Sequence, residues 1–155
     1  MIKADVLVNN KAWKKYISEP NDYLENKLRK ARKTISVFKT KKLNFTLLLS
    51  GSNEIKKLNK KFRKKNKSTD ILSFPFHENF FLYKLMKKVD NDIYLGDIII
   101  NLDKISKDKN KQKFLIAFDK IWIHGLTHLL GYRHKSNRDF SKMNKVENKI
   151  FKSIK

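Results

Sequence analysis

Residues 112–134 read QKFLIAFDKIWIHGLTHLLGYRH, and this stretch decides the architecture. Phe114, Phe118, Ile121, Trp122, Gly125 and Leu129 recur at three- and four-residue spacing, which predicts a helix from about Gln112 to Leu130 with these residues on one face. Gly131 stands where a chain leaving a helix turns left-handed. A helix this apolar needs a broad surface to cover. Segments 2–8 (IKADVLV), 43–49 (LNFTLLL), 69–75 (TDILSFP) and 94–100 (YLGDIII) read as strands that supply one. Between them a helix is expected from Asp22 to about Val37, with Asp22 and Glu25 near its start and Leu24, Leu28, Ala31 and Ile35 as its stripe. Gly51-Ser52 opens a short helix carrying Ile55, Leu58 and Phe62. Segment 77–93 has no clean period and is read as a loop with a short helix around Phe80–Lys87. A last helix, Asn137 to Ser153, carries Phe140, Met143, Ile150 and Ile154. The order β-α-β-α-β-β-α-α implies an α/β (α+β) protein with a small mixed, mostly parallel sheet of about four strands covered by helices. With 155 residues and no linker-like stretch, positions 1–155 are expected to form a single domain.

The chain has no cysteine, which excludes disulfide scaffolds, cysteine nucleophiles and thiolate metal sites and suits a reducing cytoplasm. No segment reaches the ~20 apolar residues of a membrane span, and the N-terminus lacks a secretory apolar region. Net charge is +22, enough to draw phosphate polymers by counterion release. The 32 Lys against 5 Arg, with many Asn, Ile and Phe, is also what AT-rich coding would produce. Basicity therefore supports a nucleic-acid partner without proving it.

Three of the four histidines, His124, His128 and His134, fall within eleven residues with Gly131 between them. Residues four apart lie about 40° from each other around a helix, so His124 and His128 present two imidazoles side by side. The chain turning back after Gly131 can add His134. Three imidazoles with an open position form a catalytic zinc arrangement, whereas a closed structural site would use four protein ligands. The spacing also fits the metal-binding frame of the metzincin peptidases. Gly125 stands where those peptidases carry their general-base Glu, so the proteolytic half of the motif is missing. His77, in the unassigned loop, reads as a surface residue.

Residues 56–67, KKLNKKFRKKNK, are a basic run whose lysines read mainly as a solvated face. Arg63 differs: it is the only guanidinium there and follows an apolar anchor, Phe62. Its planar fork suits a phosphate, and it is the candidate for holding the scissile group and neutralising charge in the transition state.

The blocks LNKKFRKKNKSTDILSFPF (58–76), LGDIII (95–100) and HGLTHLLGYRH (124–134), with Met143 and Glu147 downstream, resemble the YbeY family of bacterial rRNA-maturation endoribonucleases over roughly residues 50–150. The resemblance implies one zinc ion on His124, His128 and His134, catalytic roles for Arg63 and His124, and cleavage of single-stranded RNA. It implies work in 3′-end maturation of small-subunit 16S rRNA and in ribosome quality control, with the small ribosomal subunit as partner. A cytoplasmic monomer or weak oligomer without membrane contact is expected. The alternatives are a peptidase-like zinc hydrolase without its glutamate and a non-catalytic ribosome-assembly factor. Arg133 departs from the Asp the family usually has before the last histidine. Asp70 and Asp97 could orient an imidazole but read better as structural, Glu147 reads as an ion pair with a lysine, and Met143 as core.

Overall fold

Strand alternation builds the sheet. In the computed structural model, which describes residues 1–88, 92–105 and 110–155, the strands are β1 (Ile2–Val8), β2 (Lys42–Ser50), β3 (Ile71–Pro75) and β4 (Asp92–Asn101). Their order is β1-β2-β4-β3, with β1/β2 and β2/β4 parallel and β3/β4 antiparallel. The two central strands are the ones that read as near-continuous apolar runs. Leu43, Phe45, Leu47 and Leu49 of β2 are all fully buried on the same face. Each such side chain contributes about 1.5–3 kcal/mol of burial.

β3 is a free edge. Asn101 N–H donates to the Asp70 carbonyl at 2.8 Å, and Phe76 N–H to the Leu95 carbonyl at 2.9 Å. Hydrogen-bonded pairs therefore fall on alternate residues, and Ile71, Ser73 and Pro75 turn their backbone groups outward. Pro75, lacking an N–H, is tolerated at that edge. The expected strand 69–75 is regular only from Ile71; Asp70, just before it, accepts the Ile71 N–H on its carboxylate at 2.9 Å.

The helices are α1 (Pro20–Ala31), α2 (Ser36–Thr40), α3 (Ser52–Arg63), α4 (Asn79–Lys87), the one-turn α5 (Leu102–Ile105), α6 (Lys111–Leu129) and α7 (Asn137–Ser153). A 3-10 turn, Lys11–Lys15, buries Trp13 against Phe114 and Phe118, with its indole N–H on the Ser50 carbonyl at 2.8 Å. α6 lies over β3 and β4 with α7 beside it, and α1 packs on β1. α3 sits on the other face, through Ile55 onto Leu72 and Ile99. Asp119 of α6 is buried and accepts from Tyr23 Oη (3.0 Å), Lys27 Nζ (2.8 Å) and Trp122 Nε1 (3.0 Å), clamping α1 to α6.

Two expectations need correction. The helix foreseen from Asp22 to Val37 begins at Pro20, whose fixed φ suits a first helical position, and ends at Ala31. The chain is extended at Ile35 (φ −121°), and α2 then returns Phe38 to the core. Phe140, placed on the last helix's stripe, is 61% exposed, while Met143, Ile150 and Ile154 are buried.

Candidate metal centre

Residues of α6 carry the site because the helix is held flush on the sheet. A Cβ at Gly125 would come within 2.8 Å of Ile98 Cγ2 and 2.9 Å of Ile71 Cδ1, closer than side chains pack. Gly125 is thus a spacing residue, and a glutamate there would push the helix off the sheet. The one-turn neighbours His124 and His128 are each half-buried on the open flank of the same helix. Gly131, at φ +93°, bends the chain back and brings the exposed His134 alongside. Ligand atoms of the three imidazoles lie within 4.8 Å of one another, the one such cluster of possible metal ligands found among the described residues.

The hydrogen bonds assign the tautomers. His124 Nδ1 faces Glu147 Oε1 at 2.8 Å, and His128 Nδ1 faces the Tyr132 carbonyl at 3.2 Å. Both partners are acceptors, so both Nδ1 atoms carry the proton. The two Nε2 atoms then offer lone pairs, and they face each other at 3.2 Å. Two lone pairs at that separation repel unless a cation lies between them. Nitrogens about 2.05 Å from a tetrahedral zinc would be about 3.3 Å apart, so the pair already has the span. His134 has up to about 1.5 Å to close. The donor set fits a borderline metal such as zinc. Burial, with the neighbouring His124, His134 and Arg133 as smaller causes, pushes the His128 pKa down to about 4, so this ring is neutral at physiological pH.

Glu147 of α7 corrects the sequence reading of a lysine pair: its carboxylate orients His124, and the Thr127 hydroxyl, 2.7 Å from the His124 carbonyl, also lies 3.2 Å from Oε1. Asp97 accepts from Tyr94 Oη at 2.5 Å, and Asp70 accepts from Thr69 Oγ1 at 3.1 Å and from the Ile71 N–H at 2.9 Å; neither is bonded to an imidazole. Met143 is core, as expected; His77, read as a surface residue, is partly buried and meets Phe76 edge to face. Arg133 is bonded to backbone carbonyls rather than to the rings. Its Nη1 donates to the His128 and Tyr132 carbonyls (3.1 and 2.8 Å), filling the C-terminal end of α6 where a cation is favoured.

Arg63 joins the histidines across one open cleft of about 490 Å³, lined also by Thr69, Asp70, Ile71, Ser73, Pro75 and Arg133. It is exposed, and no hydrogen-bond acceptor or acidic partner takes it up among the described residues. Phe62 is not the core anchor expected: it is 59% exposed and leans on Phe74 on the opposite sheet face. The loop after Arg63 is held instead by two buried amides that sequence reading missed. Asn59 Nδ2 donates to the Lys67 carbonyl at 2.8 Å, and Asn101 Nδ2 reaches Ser52 Oγ, Ser68 Oγ and the Thr69 carbonyl at 3.0–3.1 Å. A polar residue at an apolar position was the available signal in both cases.

A family model described as endoribonuclease YbeY matches residues 7–155. The chain belongs to the YbeY family. A YbeY endoribonuclease of Pelagibacter ubique is 44% identical, with 100% of this chain and 97% of that protein covered. Another from Thermodesulfovibrio yellowstonii is 40% identical over 73% of this chain and 68% of its own. The solution structure of TM1509 from Thermotoga maritima superposes with a TM-score of 0.54 over 98% of this chain and 90% of that one, at 23% identity, and shows the shared fold.

Proposed function

We propose that this chain is a zinc-dependent endoribonuclease that cuts single-stranded RNA in the cleft between Arg63 and the three histidines. The observation that carries this reading is the pair of Nε2 lone pairs facing each other at 3.2 Å, with both Nδ1 protons already committed to acceptors. His124, His128 and His134 would hold the ion. The chemistry it supplies when bound is Lewis acidity toward a phosphoryl oxygen and toward water. Glu147 keeps His124 in the ligating tautomer. Arg63, with no acidic partner among the described residues, receives the scissile phosphate and offsets the charge that builds on its oxygens. Ile71 and Ser73 line the same cleft, and the outward backbone groups of Ser73 offer hydrogen bonds to an unpaired strand. The charge of +22 gathers the polyanion.

Family membership supports the further assignment: 3′-end maturation of small-subunit 16S rRNA and ribosome quality control, on the small ribosomal subunit, in the cytoplasm, as a monomer or weak oligomer of one domain. A peptidase reading lacks its base, since Gly125 leaves no room for one. The test is elemental analysis beside cleavage of an unstructured RNA, repeated after chelation and with His128→Ala. One zinc per chain and loss of cleavage in both treatments are expected. A metal-free preparation that cuts RNA at full rate overturns the proposal.

A further inference from the structure

Helix α4 reverses the usual rule for a surface helix. Its inner face, Leu82 with Leu85 and Met86, packs on the core, and its outer face should be polar. Instead Phe80, Phe81 and Tyr83 stand there 63%, 56% and 59% exposed. Two of the rings are met by ammonium groups from the next turn: Lys84 Nζ lies 4.4 Å from the Phe80 centroid and Lys87 Nζ 4.2 Å from that of Tyr83. Phe80 and Phe81 meet edge to face at 5.9 Å. Asn79–Lys87 contains no acidic residue. The helix is also tied to the cleft. Asn79 Nδ2 donates to the Gly131 carbonyl at 3.3 Å, and Arg133 Nη2 reaches Asn79 Oδ1 at 3.5 Å, both on the turn that presents His134.

We propose that the outer face of α4 is a stacking platform for unpaired bases of the RNA strand as it leaves the cleft, with Phe80, Phe81 and Tyr83 taking bases and Lys84 and Lys87 taking phosphates. This rests on the RNA-cutting reading above and extends the site beyond the scissile bond. Base stacking on aromatic rings flanked by cations is how sequence-tolerant single-strand binders hold RNA, and it excludes duplex, whose bases are already stacked. A protein partner fits less well. Three rings at this exposure present roughly 300–450 Å², against about 800 Å² per side in a stable interface. Charged groups over the ring faces would also be out of place at an interface core.

The test replaces all three rings by leucine (F80L, F81L, Y83L), which keeps apolar area and helix propensity but removes the π-faces. Binding is read by fluorescence anisotropy with unstructured RNAs of about five and roughly fifteen nucleotides, in a His128→Ala background that prevents cleavage. Cleavage is read in the otherwise unchanged chain. The wild-type platform should bind the longer RNA much more tightly than the shorter. The leucine variant should lose on the order of tenfold per lost stack on the longer RNA. Its KM for that RNA should rise while kcat, and binding of the shorter RNA, stay unchanged. Equal affinity of variant and wild type for the longer RNA, with helix content unchanged by circular dichroism, overturns the proposal. So does self-association or binding to anionic vesicles that leucine preserves and alanine abolishes, since that marks an apolar docking face. If the wild type neither binds nor cuts any RNA, the proposed function has failed; if it cuts normally and only the leucine variant is unimpaired, the platform alone has failed.

Discussion

Replacing Glu147 separates a structural ion pair from a group that tunes metal binding. Its Oε1 accepts the His124 Nδ1 proton at 2.8 Å, and that bond leaves the Nε2 lone pair directed at His128. A carboxylate in this position makes the imidazole more basic and fixes its ring. Losing such a partner costs 10- to 100-fold in metal affinity, about 1.4–2.7 kcal/mol. The two ends of that range can be assigned. A charge-assisted hydrogen bond is roughly twice as strong as a neutral one. Glu147→Gln keeps an acceptor of the same shape and loses only the charge, so it should weaken zinc binding about tenfold. Glu147→Ala also frees His124 to take the other tautomer and should approach a hundredfold loss, on the order of the upper limit. The assay is competition for zinc against a chromophoric chelator, with thermal melting of the metal-free proteins as a control for folding. The pair is partly exposed, so melting of the metal-free forms should change little. If both variants bind zinc within about twofold of the parent, Glu147 does not act through His124 and the tautomer argument falls.

Arg63→Ala should lower RNA cleavage by on the order of 10²–10³ with zinc content unchanged, and Arg63→Lys should recover little, because a point charge cannot bind a phosphate in two places; steady-state kinetics beside elemental analysis checks both. Folding depresses the His128 pKa from 6.5 to about 4, chiefly by burial, so the neutral ring's contribution to metal-free stability is complete above pH 6.5 and is lost as pH falls toward 4. Urea midpoints across that window should fall in the parent and fall less in His128→Gln, while NMR should follow the ring staying neutral until about pH 4. Asp119→Ala leaves Lys27 and Tyr23 without their shared acceptor and should destabilise by about 3–5 kcal/mol, seen in chemical unfolding; a change under about 1 kcal/mol would mean that water substitutes for the carboxylate.

Much of the fold was legible because its signals are local. α6 and α7 space their apolar residues with the helical period, β2 and β4 read as short apolar runs, and the boundaries of α7 came out as read. The imidazole cluster was legible for the same reason, since spacing on one helix and a glycine turn sufficed to bring the rings together. What stayed hidden depends on partners far along the chain. Glu147 looked like another charge on a lysine-rich helix until α7 was laid beside α6 and its carboxylate met His124. Asn59 and Asn101 gain meaning only from the loop that passes over them. α4 gave no clear period because its exposed face is aromatic, so apolar residues occur all round the helix. The break after Ala31 preserved the apolar stripe through α2, which made two helices look like one.

The three imidazoles are mounted unequally, two on the longest helix among the described residues and the third on the bend after Gly131. A cation arriving in the cleft meets a preorganised pair of donors and pays ordering entropy for the third alone. His124 and His128 would hold the ion from one helix, and His134 would complete the set from the turn after Gly131. Because α4 and Arg133 are bonded to that same turn, ligation there would stiffen the rim of the cleft as well, coupling occupancy of the centre to the readiness of the surface around it.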